Sequence, residues 1–160
     1  MQIKKISRGF TLIELLIVIA IIAIIAAVVF VALDPLTRFK DARDTQRWND
    51  VTSLLGAIKI DQVDNAGSYL TAIADAADGT YKIGTAATGC ADACTAVTPA
   101  AACINLTGLV TEGYLGEIPT DPTDGTATET DYYLIKAATG MITIGACDPE
   151  NASGGIYVAR

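Results

Sequence analysis

A single carboxylate stands where this chain can least easily accommodate one. Glu14 directly precedes the unbroken apolar run Leu15–Leu33, and it follows a short opening segment, MQIKKISRG, that carries Lys4, Lys5 and Arg8 and no acid. Inserting a bare carboxylate into lipid costs on the order of 2–3 kcal/mol or more, so an acid kept at this place calls for a cationic partner. A cut after Gly9 would create one, the ammonium of Phe10, which lies four residues before Glu14. The simpler alternative is an ordinary single-span anchor, with the leading cations as positive-inside charges and Glu14 at the headgroup level.

Two further groups of residues could do chemistry. Cys90, Cys94, Cys103 and Cys147 all lie beyond the apolar run, where the topology puts the chain outside the cytoplasm. Disulfides are the default there, and of the three possible pairings the expected one is Cys90 with Cys94 and Cys103 with Cys147. Zinc is the competing reading, but a CxxxC pair plus two distant cysteines and no histidine is a weak metal pattern. Asp121, Asp124, Glu129 and Asp131 crowd one stretch with Gly125 and several threonines. Hard oxygen ligands grouped on a loop suit calcium, although the spacing is not that of an EF-hand; a solvated acidic loop is the alternative. No histidine, no Gly-x-Ser-x-Gly and no phosphate-cradling glycine loop is present, so an enzyme is not expected. The sequons Asn105-Leu106-Thr107 and Asn151-Ala152-Ser153 arise easily by chance in a Thr-rich chain and carry no weight.

The elements that must position these groups follow from pattern and composition. Wound as a helix at about 1.5 Å per residue, Leu15–Leu33 reaches roughly 28 Å, enough to cross a bilayer's hydrocarbon core. Asp34-Pro35 then interrupts the helix, because proline lacks a backbone donor and clashes with the preceding turn. Trp48, Val51, Leu55 and Ile58 recur at steps of three and four, with Leu36, Phe39 and Leu54 close to the same stripe, so the helix is expected to resume to about residue 62. On another face Lys40, Arg43 and Arg47 read either as a solvated surface with weak local pairs, Asp34 with Arg38 and Lys40 with Asp44, or as a basic face that meets acidic parts of adjacent subunits.

Beyond the helix, Thr71–Asp78 and Leu106–Leu115 are expected as short helices, and 84–102 as a surface loop. Glu117–Pro122 should be extended, since residues before proline avoid the α region. Tyr132–Ala137 and Met141–Ala146 should form a hairpin, with Ile156–Val158 as a third strand. Leader, anchor, second half-helix and head accordingly divide as 1–9, 10–34, 35–62 and 63–160. The head's size is that of one domain, and its low aromatic content, 6% over the chain, argues for a modest core with covalent ties.

The net charge is −7, and the leader holds cations only, so the rest is more acidic still. Affinity for nucleic acid comes largely from Lys and Arg neutralising phosphates, and direct nucleic-acid binding is not expected.

The order of basic leader, Gly9, Phe10-Thr11-Leu12-Ile13-Glu14 and apolar run resembles the class III signal of type IV prepilins and type II secretion pseudopilins. Tyr114-Leu115, Ile118-Pro119, Asp121-Pro122, a loop, a Tyr-rich strand and Ile142-Thr143-Ile144-Gly145-Ala146 look like the head of the major pseudopilin of type II secretion and of related small Gram-positive-type pilins. The resemblance implies an α+β pilin fold, with one long N-terminal helix whose membrane-spanning first half projects from a small antiparallel sheet. It implies cleavage between Gly9 and Phe10 by a prepilin peptidase that keeps the apolar helix, and N-methylation of Phe10 by the same peptidase/methylase. It also implies pairing of Glu14 with the Phe10 amine of a neighbouring subunit, and, in many such heads, a calcium site near the acidic loop. The function implied is a structural subunit of a type IV pilus or pilus-like filament. Such a subunit is held single-pass in the cytoplasmic (inner) membrane with its head extracytoplasmic, then polymerised into a helical, cell-surface homopolymer by an assembly ATPase and a platform membrane protein. Alternatives are the major pseudopilin of a type II secretion system and, in another class, a monomeric membrane-anchored binding module.

Overall fold

The computed structural model describes residues 9–91 and 94–160. Two compact units meet in sequence between Arg38 and Phe39. The first contains helix α1, Leu12–Leu33, which has no buried residue. Helix α2, Pro35–Asp64, begins one residue after α1 ends. Pro35 sits where its missing N–H costs nothing, at the first position of a helix. It also drives the preceding residue out of the α region, and Asp34 takes a left-handed conformation, φ 37°. Asp34 then starts the new helix: its Oδ2 accepts the Thr37 hydroxyl at 2.7 Å and its carbonyl accepts the Arg38 N–H at 3.3 Å.

The second unit is an α+β head. Val51, Leu54, Leu55 and Ile58 of α2 are buried, at the helical spacing read from the sequence. Trp48 marks the edge of that stripe, still 42% exposed, while Leu36 and Phe39 lie outside it at 72% and 63%. The helix stripe shares one core with Tyr132 and Leu134 of β2 (Tyr132–Lys136) and Ile142, Ile144 and Ala146 of β3 (Ile142–Ala146). These positions alternate along each strand, as they must when one face of a sheet is covered.

The sheet is antiparallel throughout, in the order β1 (Gly79–Lys82), β2, β3, β4 (Tyr157–Ala159), with Leu134 opposite Ile144 and Tyr132 opposite Ala146. The β2–β3 hairpin closes through Ala138-Thr139-Gly140, where Gly140 takes φ 81° and donates to the Ala137 carbonyl at 2.8 Å. Strand β4, Tyr157–Ala159, lies one residue later than expected. Strand β1, Gly79–Lys82, was not expected at all. It is four residues long, follows an Ala/Asp-rich turn, and becomes a strand only by pairing with Lys136–Tyr133 of β2. Both short helices are truncated, α3 to Thr71–Ala74 and α4 to Thr107–Thr111, the latter followed by Gly113 at φ 87°.

The disulfide pairing differs from the expected one. Cys90 is joined to Cys103 and Cys94 to Cys147, with Cα separations of 5.3 and 4.6 Å. Backbone bonds explain the exchange. The Cys90 N–H donates to the Ala101 carbonyl and the Cys103 N–H to Ala86, which folds this segment back on itself and sets Cys90 against Cys103. The Thr95 hydroxyl and the Ala96 N–H both donate to the Cys147 carbonyl, which holds Cys94 against the exit of β3.

Candidate functional site

The sequence places the first candidate at the start of α1, and its local geometry is a reciprocal cap. Thr11 precedes the helix in an extended conformation, and its hydroxyl accepts the Glu14 N–H at 3.3 Å. In return Glu14 Oε2 accepts the Thr11 N–H at 2.8 Å and the Thr11 hydroxyl at 2.7 Å. A Thr-x-x-Glu box of this kind satisfies N–H groups that the first helical turn leaves without partners. Both bonds to the carboxyl group end on Oε2; among the described residues Oε1 accepts none. Gly9 and Phe10 are exposed, Phe10 at 82%, while Lys4, Lys5 and Arg8 of the leader lie outside the described residues. From Leu12 to Leu33 every side chain is exposed, and Glu14 is the one charge among them. An uncovered apolar helix of this length and composition can cross a membrane, and in water it would be an aggregating surface.

In the head, the basic face expected on α2 is turned largely inward. Arg47 is fully buried and spends its fork on three carboxylates. Nε and Nη2 donate to Asp121 at 2.6 and 2.9 Å, Nη1 to Asp44 at 2.8 Å and to Glu150 at 3.2 Å, and Nη2 also to the Thr123 hydroxyl at 2.9 Å. Arg43 takes Glu150 in a two-pronged contact. Asp44 accepts the backbone N–H groups of Glu150, Asn151 and Ala152, so it is bound to the C-terminal loop rather than to Lys40. Burial pushes Asp44 and Asp121 upward, but these hydrogen bonds outweigh it and hold both carboxyls below their ordinary range. Glu150 is held low as well, chiefly by Arg43 and then by Arg47. A surface reading of Arg43 and Arg47 is therefore corrected: the two arginines tie α2 to the loops after Asp121 and Cys147.

The four carboxylates considered for calcium do not converge. Asp121 is consumed by Arg47 and Thr123, whereas Glu129 and Asp131 share the Lys82 ammonium at 3.1 and 2.9 Å. Lys82 is itself 1% exposed, so a protein cation already supplies the charge for that pair. Asp124 belongs to neither group. Among the described residues no cluster of three or more His, Cys, Asp or Glu side chains could hold a metal ion, and the acidic loop does not fit calcium. These carboxylates are neighbours along the loop, but the cations Arg47 and Lys82 divide them.

A groove of about 680 Å³ lies between α2, α4 and the Glu117–Thr120 segment, lined among others by Gln46, Asp50, Asn105 and Ile118. Asp50 accepts the Tyr132 hydroxyl at 2.7 Å, and burial raises both groups above their usual values. In the sequons, Asn105 Oδ1 accepts the N–H and hydroxyl of Thr107, and Asn151 Nδ2 donates to Asp41.

Gly9, Phe10 and Glu14 stand out in the sequence, and the Thr11 cap has its own signal there, Thr-x-x-Glu before an apolar run. Arg47 and Lys82 carried no such local signal, because their partners are distant in sequence.

Residues 4–30 match the family described as the prokaryotic N-terminal methylation motif. No curated protein and no solved structure matched the chain. A motif of this class fits a type IV pilin or pseudopilin-type prepilin-peptidase substrate, and together with the apolar helix it fits membrane anchoring before assembly. Such a signal points to a structural protein rather than an enzyme.

Proposed function

We propose that this protein is a structural subunit of a type IV pilus or pilus-like filament, cut between Gly9 and Phe10, methylated on the new Phe10 amine and polymerised through α1. The observation that carries this reading is the apolar helix with no buried side chain and one carboxylate, Glu14, at its start. In lipid there is no hydrophobic gain in moving Leu, Ile and Val from acyl chains onto a neighbouring helix. Selection of register then falls to close packing and to the one strong polar contact available. Glu14 keeps Oε1 for the Phe10 ammonium of an adjacent copy while Oε2 stays in its own helix cap. Before assembly the head stands on the extracytoplasmic side of the cytoplasmic membrane; an assembly ATPase and a platform membrane protein drive extraction of α1.

Mass spectrometry of sheared surface material should find a chain beginning at methylated Phe10. Cells expressing Glu14→Gln should process the precursor and yield few or no fibres. Normal fibre yield from that variant would sink the assembly role of Glu14, and recovery only of intact Met1 chains in the membrane fraction would leave a plain anchor. Short envelope-spanning fibres in place of surface fibres would identify the pseudopilin form of the same architecture.

A further inference from the structure

The two edges of the head's sheet are finished differently. On β1 the backbone carbonyls of Thr80 and Lys82 point away from β2, and both are taken: the Ala100 N–H donates to Thr80 at 2.8 Å and the Ile104 N–H to Lys82 at 2.8 Å. The segment 100–104 thus covers that edge, which keeps an open strand from pairing with other chains. Nothing equivalent lies beside β4. Its printed bonds to β3 join Ile142 with Arg160 and Ala146 with Ile156. Bonded and non-bonded pairs alternate along an antiparallel ladder, so the bonded pair between them is Ile144 with Val158. The N–H and C=O groups of Tyr157 and Ala159 therefore face outward, and among the described residues none of them is hydrogen-bonded.

A groove of about 360 Å³ adjoins this open edge, lined by Thr52, Gly56 and Lys59 of α2 and by Val158 to Arg160. Gly56 stands in the middle of α2, where glycine weakens a helix relative to alanine, yet a Cβ there would meet nothing within 4 Å. No contact inside the chain requires the side chain's absence; the bare backbone leaves room for a second polypeptide to come close. The groove is also basic in a chain of net charge −7. Lys59 donates to Gln62 and to the Tyr69 hydroxyl, neutral acceptors that leave its charge uncompensated, and Arg160 is exposed. Among the described residues no Asp or Glu lines the groove.

We propose that β4 and this groove receive an extended, acidic polypeptide segment, which joins the sheet as a fifth strand. Its backbone pairs with Tyr157 and Ala159, alternate side chains enter the groove over Gly56, and its carboxylates meet Lys59 and Arg160. The β4 of a second copy is the poorer occupant, since it brings its own Lys59 and Arg160 to a site that lacks acids. This docking is separate from polymerisation through α1 and does not depend on it.

The full chain in detergent micelles is titrated against two labelled synthetic peptides, one alternating valine with glutamate and one alternating valine with lysine, and binding is followed by fluorescence anisotropy. The glutamate peptide should bind saturably, and the lysine peptide at least about tenfold more weakly. Amide hydrogen exchange at Tyr157 and Ala159 should slow in the glutamate complex and change little at Val158, whose N–H is already in the ladder. Ala159→Pro deletes one outward N–H and no ladder bond, a change that edge strands tolerate, so it should keep the native Tm and lose about tenfold in affinity. Gly56→Leu fills the groove from α2 without altering the edge and should also weaken binding. No saturable binding of the glutamate peptide, equal affinity for the lysine peptide, or native affinity in either variant would overturn the proposal. So would dimerisation of the native chain that Ala159→Pro abolishes, because the edge would then belong to a second copy.

Discussion

Replacing Arg47 with methionine should be the most damaging single change in the head, and the structure says where the damage falls. Methionine fills much of the space of the arginine stem, so packing loss is small and the charge is the main thing removed. Three carboxylates lose a partner, but unequally. Asp44 keeps three backbone N–H donors, and Glu150 keeps Arg43. Among the described residues Asp121 keeps only the Thr123 donors, and its side chain is 1% exposed. Breaking a buried pair from one side costs about 3–5 kcal/mol. With two of the three acids still served, the lower end applies, about 3 kcal/mol, or roughly 10 °C in Tm for a domain of this size. Unfolding of the full chain in micelles, followed by near-ultraviolet circular dichroism, reads this directly. Adding Asp121→Leu to Arg47→Met should recover most of the loss, because the stranded charge goes with it. Acid titration supplies a second reading. Asp44, Asp121 and Glu150 are held low in the folded state, so their stability is present above the ordinary carboxylate range and disappears as pH falls through their lowered values. The variant should show a shallower acid limb. An Arg47→Met chain within about 1 kcal/mol of the native one, or a double variant no better than the single, would refute the reasoning.

Non-reducing peptide mapping should recover Cys90 linked to Cys103 and Cys94 linked to Cys147, and a Cys90–Cys94 peptide would contradict the fold of this segment. Replacing both Cys94 and Cys147 by serine should cost up to about 4 kcal/mol in the loop-entropy picture, more than the Cys90–Cys103 pair at about 3, since their sequence separations are 53 and 13. Gly125→Ala should destabilise the head by more than about 2 kcal/mol in the same melting assay, because a Cβ there would collide with the Asp121 nitrogen and lie 2.8 Å from the Thr130 carbonyl oxygen.

What could be read from sequence was whatever depends on neighbours along the chain. The apolar run, the break at Asp34-Pro35, the buried stripe from Val51 to Ile58 and the hairpin around Gly140 all follow from local period or local turn chemistry. Long-range pairing escaped. Strand β1 exists because β2 lies beside it, Arg43 and Arg47 are turned inward because Glu150 and Asp121 come from far down the chain, and the cysteines pair as a folded-back loop dictates. The acidic loop shows the same difference. Its carboxylates are adjacent in sequence, yet Arg47 and Lys82 divide them, and neither cation is a sequence neighbour of the acids it holds.

The cap at Thr11 has one more consequence. Each of its bonds, together with the Leu15 N–H to the Thr11 carbonyl at 3.3 Å, lies on the C-terminal side of the Gly9–Phe10 peptide. Severing that peptide would remove none of them. The rod would leave the protease already wound to its tip, so maturation would change only what the tip carries, an ammonium in place of a tether, and nothing in the helix would have to be rebuilt before the next copy could dock.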